Sequence, residues 1–327
     1  MNGAVLEAIR ADDIIDRQRL RRKLTFWRIA SFFVALFGVG VVVAMVQSGS
    51  DFAARSGDHV AKIKISGTID TDEGLLERLA EIEKSDSVKG VILAINSPGG
   101  TTVGGEAIFE AVRKISDKKP IVAQVGTLAA SAGYMIAAGS DHIVAHKSSI
   151  VGSIGVIFQY PNFQGMLDNL GIDVRAIKSS PLKAEPSFFG QTPPEAEAMI
   201  RNMILDSYDW FKGIVAERRD FTTAETDALA DGSVFTGRQA LENGLIDNLG
   251  GEEVARAWLT EQGVDSDLKT LEWEDDERVS GRLFSGTVLR WIAAQIGLGH
   301  LNDPLSKSLE QRLMLDGLVS VWHVQDK

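Results

Sequence analysis

The chain has 327 residues, 44% hydrophobic and 24% charged, which places it among globular rather than disordered sequences. Thirty-four lysines and arginines against 45 acidic residues leave a net charge of −11, the wrong sign for a body that wraps nucleic acid. There is no cysteine, so disulfide frameworks, thiolate metal sites and a cysteine nucleophile are excluded.

Mean hydropathy is +0.01, high for so charged a chain, and one segment accounts for it. Ile29–Val46 runs for eighteen residues without a charge. As a helix it would cover roughly 27 Å, about one hydrocarbon core. It is apolar on every side, unlike the one-sided stripe of a core helix. Arg17, Arg19, Arg21, Arg22, Lys23 and Arg28 crowd its N-terminal flank, and Ser48-Gly49-Ser50-Asp51 follow it. The positive-inside rule predicts a cytoplasmic segment at 1–26, a transmembrane helix at 27–47 and the remainder across the membrane. A cleaved signal peptide is the competing reading. The long N-terminal lead and the lack of an A-x-A site favour an uncleaved anchor.

Residues 48–58 read as a polar tether, and the body runs from 59 to 263. His59–Ile69 is a strand candidate, with a helix over Gly74–Lys84. Gly90–Asn96 is a continuous apolar run, the pattern of a strand covered on both faces. A helix follows at Thr102–Ile115, then a strand at Pro120–Gly126 and a helix at Ala129–Ala138. Ile143–Ala145, Ile150–Phe158 and Asp173–Ile177 read as further strands. Residues 194–219, 223–230, 237–244 and 251–262 have helical patterns. This alternation predicts an α/β layered domain. The tail at 264–327 carries an acidic run and two apolar stretches too short to span a bilayer, which fits packing on the body or assembly.

Two segments carry candidate chemistry. Asn96-Ser97-Pro98-Gly99-Gly100 ends an apolar strand, and its paired glycines allow backbone N–H groups to face a phosphate or a developing oxyanion. Read alone, it is more commonly an ordinary Pro-Gly turn. In Gly126–Ala138 a strand runs into a helix through small residues, with Ser131 at the turn. Read alone, Ser131 is a helix N-cap.

Together these segments resemble a known family. Strand–NSPGG, then strand–AASAGY, then Ser153-Ile154-Gly155-Val156, with VFTGRQALENGLIDNLGG at 234–251, is similar to the signal peptide peptidase A family, bacterial membrane-bound serine proteases on the ClpP/crotonase fold. The resemblance runs from about residue 60 to 262. It implies a ClpP/crotonase-like fold of stacked ββα units behind one N-terminal transmembrane helix. It further implies that Ser131 is the nucleophile and Lys183, about fifty residues on, the general base. Ser153 would orient the lysine, and the backbone N–H groups of Gly99, Gly100 and Ala132 would form the oxyanion hole. A lysine works as a base only when neutral, which burial promotes by disfavouring the ammonium. Lys147, Lys178, His142 and His146 are the competing bases on the residues alone, and position in the motif favours Lys183.

The expected activity is that of a Ser-Lys endopeptidase degrading remnant signal peptides, with no metal, nucleotide or organic cofactor. The expected partners are peptide substrates and membrane lipid, with no nucleic acid, and the expected assembly is a homo-octamer whose active sites are shared between neighbours. The expected place is the bacterial cytoplasmic membrane, single-pass, with a cytoplasmic N-terminus and a periplasmic catalytic domain. A crotonase-type acyl-CoA enzyme and a non-catalytic membrane scaffold are the alternatives.

Overall fold

The computed structural model describes residues 27, 28, 31, 32, 55–274 and 319–321. The expected anchor therefore lies almost wholly outside the described residues. Among those described, no helix is long and apolar enough to cross a membrane.

The body opens with β1 (His59–Ser66), α1 (Glu73–Lys84), β2 (Val88–Ser97), β3 (Gly99–Thr101), α2 (Thr102–Ser116), β4 (Ile121–Ala130) and α3 (Ala132–Ala138). Strands β5 (His142–Ala145) and β6 (Ile150–Gly152) follow. After them come α4 (Gln164–Leu170), α5 (Pro194–Arg219), α6 (Thr223–Leu229), β7 (Val234–Thr236), α7 (Gly237–Glu242), β8 (Asn248–Leu249), α8 (Glu252–Glu261) and β9 (Thr270–Glu272). A last strand, β10, is formed by Val319–Val321.

Local signals explain the helix starts. Asp72 accepts a hydrogen bond from the Leu75 N–H at 2.9 Å and caps α1, and Thr101 caps α2 through the Gly104 N–H at 3.1 Å. Thr222 with Glu225 and Thr236 with Gln239 form reciprocal capping boxes on α6 and α7. Pro194 sits in the first turn of α5, where a missing N–H costs nothing.

Strands β3 and β10 pair antiparallel as a separate two-stranded sheet. The other eight form one sheet in the order β7-β6-β4-β2-β1-β9, with β5 on β4 and β8 beyond it, and its pairing is parallel except between β6 and β7. Both faces of the sheet are covered, as the apolar run at Gly90–Asn96 predicts. Ala61, Ile63 and Ile65 of β1, Val91, Leu93 and Ile95 of β2, and Ile121, Ala123 and Val125 of β4 share one core with α1, α2, α3 and α5. The residues between them, Val60, Ile92 and Val122, with Val144 of β5, point to the other face and pack under Ala255 and Leu259 of α8. The period-2 alternation of strand side chains thus builds two cores from one set of strands.

Strand β4 changes partner along its length. Val122–Val125 pair with β5, and Leu128–Ala130 pair with β6. On its other edge, Ile95 of β2 faces Val125 but Ser97 faces Ala129, so β4 carries extra residues through Gly126. This irregularity bends β4 and delivers its end to the surface of the sheet.

Three expected features differ. Asp173–Ile177 is not a strand: its residues are exposed and no neighbouring strand pairs with them. Period-2 apolar patterning without an adjacent edge gives extended chain and nothing more. The strand at Ile150 stops at Gly152 rather than Phe158, because Ser153 turns the chain with φ 53°. Residues 264–274 continue the body: Val264 packs against α8, β9 pairs with β1, and Trp273 stacks on His59.

The C-terminal end of α5 is tied to the sheet by charge. Arg219 donates to both carboxylate oxygens of Asp247, at 3.1 and 2.7 Å, and to the Gly244 carbonyl at 2.8 Å. Asp247 in turn accepts from the Ile143 N–H at 2.7 Å. Removing one member leaves the other partly buried and unpaired. Arg219→Ala should lower unfolding stability by about 2–3 kcal/mol, read from the urea midpoint. The double variant with Asp247→Ala should cost clearly less than the sum of the singles. Additive losses would show that the pair does not act as a unit.

Candidate active site

The motif Asn96–Gly100 is a built corner rather than a simple turn. Ser97 is fully buried, donates from Oγ to the Gly67 carbonyl at 2.7 Å and accepts from the Gly99 N–H at 3.1 Å. Gly99 has φ +107°, a region open to glycine and hostile to other residues. Gly100 needs glycine for a different reason: a Cβ there would lie 1.8 Å from the Ile69 carbonyl oxygen. Ile69 lies alongside as a one-residue bridge, donating its N–H to the Gly99 carbonyl at 2.9 Å and accepting from the Thr101 N–H at 2.8 Å. The two glycines thus hold β3 flat against residue 69.

Ser131 stands between β4 and α3. Its backbone has φ 57° and ψ −121°, a strained conformation for a residue with a Cβ. Two hydrogen bonds hold it there: its N–H donates to the Gly152 carbonyl at 2.8 Å, and its carbonyl accepts from the Met135 N–H at 2.9 Å. The side chain makes no capping bond to α3, so the N-cap reading fails. As the first residue of α3, Ala132 has an N–H with no acceptor in its own helix. The corner at β3 is close by: Ser97 pairs with Ala129, and a Cβ on Gly133 would lie 3.0 Å from the Ser97 carbonyl oxygen.

Ser131 and Ser153 line the same cavity, of about 350 Å³. Its walls are mainly apolar, from Ile154, Val156, Ile157, Ile204 and Tyr208. Ser153 is also at positive φ, and its N–H donates to the Ser233 carbonyl at 2.7 Å. Asp231 is the carboxylate on this wall. Hydrogen bonds from the Ser233 side chain and backbone hold its carboxyl below the usual range, which makes it a poor proton acceptor for a serine hydroxyl.

The candidate bases do not line this cavity. Lys183 is exposed, in a turn where its N–H donates to the Ser180 carbonyl at 3.2 Å. Lys178 is bonded to Glu185, and that ammonium holds the Glu185 carboxyl below its ordinary value. Lys147 is exposed in the turn after β5. His142 stacks on Trp258 and bonds Asn248 at 2.7 Å, and His146 lies against Gly251. The sequence brings the serines and the glycine corner together within one chain, and leaves the amine outside. Reading along the chain missed Ile204, Tyr208 and Asp231 as cavity walls. They sit on α5 and on the loop before β7, and no local motif links them to Ser131.

The strain at Ser131 can be measured directly. Ser131→Gly should be more stable than Ser131→Ala by about 1 kcal/mol, because only glycine relieves the positive φ. Thermal or urea unfolding of the two variants checks it. Equal stabilities, or a more stable alanine variant, would mean the backbone is not strained.

The comparisons with known proteins converge on one family. The family model for peptidase family S49 matches residues 113–265. A protein of Synechocystis sp. named as a candidate protease is 36% identical over 252 residues, covering 76% of this chain and 91% of that one. A candidate signal peptide peptidase SppA of Enterococcus faecium is 34% identical over 235 residues, 68% of each chain. Protease 4 of Haemophilus influenzae is 32% identical over 250 residues, which is 74% of this chain and 38% of that longer protein. The chain belongs to peptidase family S49 and is an SppA-family protease.

Proposed function

We propose that the chain is a membrane-anchored serine endopeptidase that degrades signal-peptide remnants, using Ser131 as nucleophile and Lys183 of a neighbouring subunit as base. The observation that carries the reading is Ser131 itself, buried in a strained turn on the wall of an apolar cavity beside a glycine-built edge. Strain at a polar residue with no capping role is what a presented nucleophile requires.

The chemistry follows from the groups present. Ser131 Oγ attacks the scissile carbonyl carbon while the neutral lysine amine takes its proton. The carbonyl oxygen becomes an oxyanion, met by the N–H groups of Gly100 and Ala132, while the Gly99 N–H, expected to join them, is held by Ser97 Oγ at 3.1 Å. The ammonium then returns the proton to the leaving amine, and an acyl-enzyme ester remains on Ser131. Water attacks that ester with the amine again as base, and the acid product leaves. Ser153, on the same wall as Ser131, orients the amine by hydrogen bonding. The apolar walls from Ile154, Val156, Ile204 and Tyr208 suit the side chains of a signal peptide.

Two observations support a shared site. Among the described residues, no lysine lines the Ser131 cavity. The stretch that carries Lys183 also leaves large apolar side chains in water, among them Phe163, Met166, Leu170, Ile172, Ile177 and Phe189. So much exposed apolar surface calls for a cover. A second copy of the chain would cover it and bring Lys183 to Ser131, and a head-to-tail repeat of that contact closes into a ring, here an octamer. Between Lys183 and Lys178, the ion pair with Glu185 keeps Lys178 occupied. The charge-free Ile29–Val46 segment behind its basic flank supplies the anchor, with the catalytic body on the periplasmic side.

The test uses two inactive variants. Ser131→Ala should abolish labelling by a fluorophosphonate, and Ser131→Ala and Lys183→Ala should each lower peptidase activity at least about a thousandfold. Lys183→Arg should be equally inactive, because a guanidinium keeps its proton. Co-assembled Ser131→Ala and Lys183→Ala subunits should regain part of the activity, since some interfaces pair an intact serine with an intact lysine. Mixed rings that stay inactive would place both residues of the dyad in one subunit, and full activity in Lys183→Ala would reject this lysine.

A further inference from the structure

Strand β4 crosses from β5 to β6 over a gap in the ladder. Its last partner on β5 is Ala145, opposite Val125, and its first on β6 is Ile150, opposite Leu128. Two residues of β4, Gly126 and Thr127, thus lie beside the four residues 146–149. A parallel ladder broken in this way leaves backbone groups at the gap to find other partners. Ser149 supplies them with its side chain. Its Oγ donates to the Gly126 carbonyl at 2.5 Å and accepts from the His146 N–H at 3.0 Å. Its own N–H donates to the His146 carbonyl at 3.0 Å and closes the turn on itself. Ser149 is buried, whereas its neighbour Ser148 is exposed.

We propose that Ser149 is a positioning residue of the proteolytic site, whose hydroxyl pins β4 at its change of partner and fixes the register in which β6 reaches Ser131. This rests on the reading of Ser131 as the nucleophile. The chain from the pin to the site is short: Ile150 faces Leu128, Val151 faces Ala129 and Gly152 faces Ala130. The Gly152 carbonyl then holds the Ser131 N–H at 2.8 Å, and Ser153 follows into the cavity. Extended chain has little slack, so a slip of one residue moves β6 by about 3.3 Å and turns its carbonyls to the opposite edge. Such a slip takes the Gly152 carbonyl from Ser131 and carries Ser153 away with it. Three ladder pairs are few to fix a register alone, and the Ser149 hydroxyl adds a fixed point at their start. A hydroxyl suits the place because one atom both donates and accepts. The effect falls on the rate of reaction, since a displaced nucleophile still leaves the apolar walls free to bind a peptide.

The experiment uses the full chain and a short peptide substrate. Ser149→Ala should lower kcat about tenfold to a hundredfold and leave KM within about twofold. Ser149→Thr keeps the hydroxyl and should restore most of the rate, and Ser148→Ala, on the exposed neighbour, should match the wild type. A second readout needs no catalysis. Hydrogen exchange, followed by mass spectrometry over residues 129–135, should be at least about tenfold faster in Ser149→Ala, because the Ser131 N–H loses its fixed acceptor. Ser149→Cys keeps the volume, weakens the donor and serves both measurements if the alanine variant does not fold. Unchanged exchange over 129–135 would overturn the inference, and so would an unchanged kcat in a protein that Ser131→Ala inactivates. Faster exchange in a protein that keeps its activity as Ser131→Ala would uphold the pin and reject the nucleophile instead.

Discussion

The site depends on one strand having two partners along one edge. Had β4 kept β5 alongside to its end, Ser131 would have entered α3 from ordinary extended chain. Instead the extra residues through Gly126 let β4 leave β5 and meet β6 over Leu128–Ala130. Strand β6 then supplies the Gly152 carbonyl that holds the Ser131 N–H at 2.8 Å. Its own next residue, Ser153, turns into the same cavity. Both serines owe their place to that exchange of partners, and the backbone strain is sustained by the sheet around it.

Much of this is legible in the sequence, and the limits have a physical form. Residues 59–66, 90–96 and 121–125 read as strands because their patterns are local and both faces are buried, as the two cores require. The glycine pair is legible as a place where the backbone needs freedom. The reason at Gly100 is not, because the atom that a Cβ would strike belongs to Ile69, thirty-one positions earlier in the chain. Strand β3 is three residues long and exists because Ile69 bridges one of its edges and β10 pairs along the other. Asp173–Ile177 fails in the opposite sense: a local pattern predicts a strand, and the fold offers it no edge. Pattern reports what a segment can do, while pairing depends on what arrives next to it.

The stretch from Val156 to Pro193 behaves unlike the rest of the chain. It holds one short helix, and its large apolar residues are exposed where those of the sheet are sealed. A monomer gains nothing from displaying Ile172, Ile177 and Phe189 in water. The same stretch carries Lys183, the base of the proposed mechanism, which does not line the Ser131 cavity. Apolar exposure and the distance of that lysine are separate observations, and the proposed neighbouring subunit would answer both. On this reading the isolated subunit is chemically incomplete, and assembly becomes a condition for hydrolysis.

An amine that enters the cavity meets two opposing influences. Ile154, Val156, Ile204 and Tyr208 exclude water, which disfavours an ammonium and favours the neutral base. Asp231 acts in the other direction. Its carboxyl is held below its usual range by Ser233, so it stays ionised and attracts a cation. Attraction helps to bring a lysine in, but a carboxylate in contact with it would keep the proton on nitrogen. The arrangement works only if the carboxylate is satisfied elsewhere, and the Ser233 N–H, 2.9 Å from Asp231 Oδ1, supplies part of that satisfaction. Ser233 also fixes Ser153 through its carbonyl, at 2.7 Å. One residue thus bonds the carboxylate with its donors and holds the second serine with its acceptor, and in the proposed mechanism it would couple the protonation of the incoming amine to the geometry that receives it.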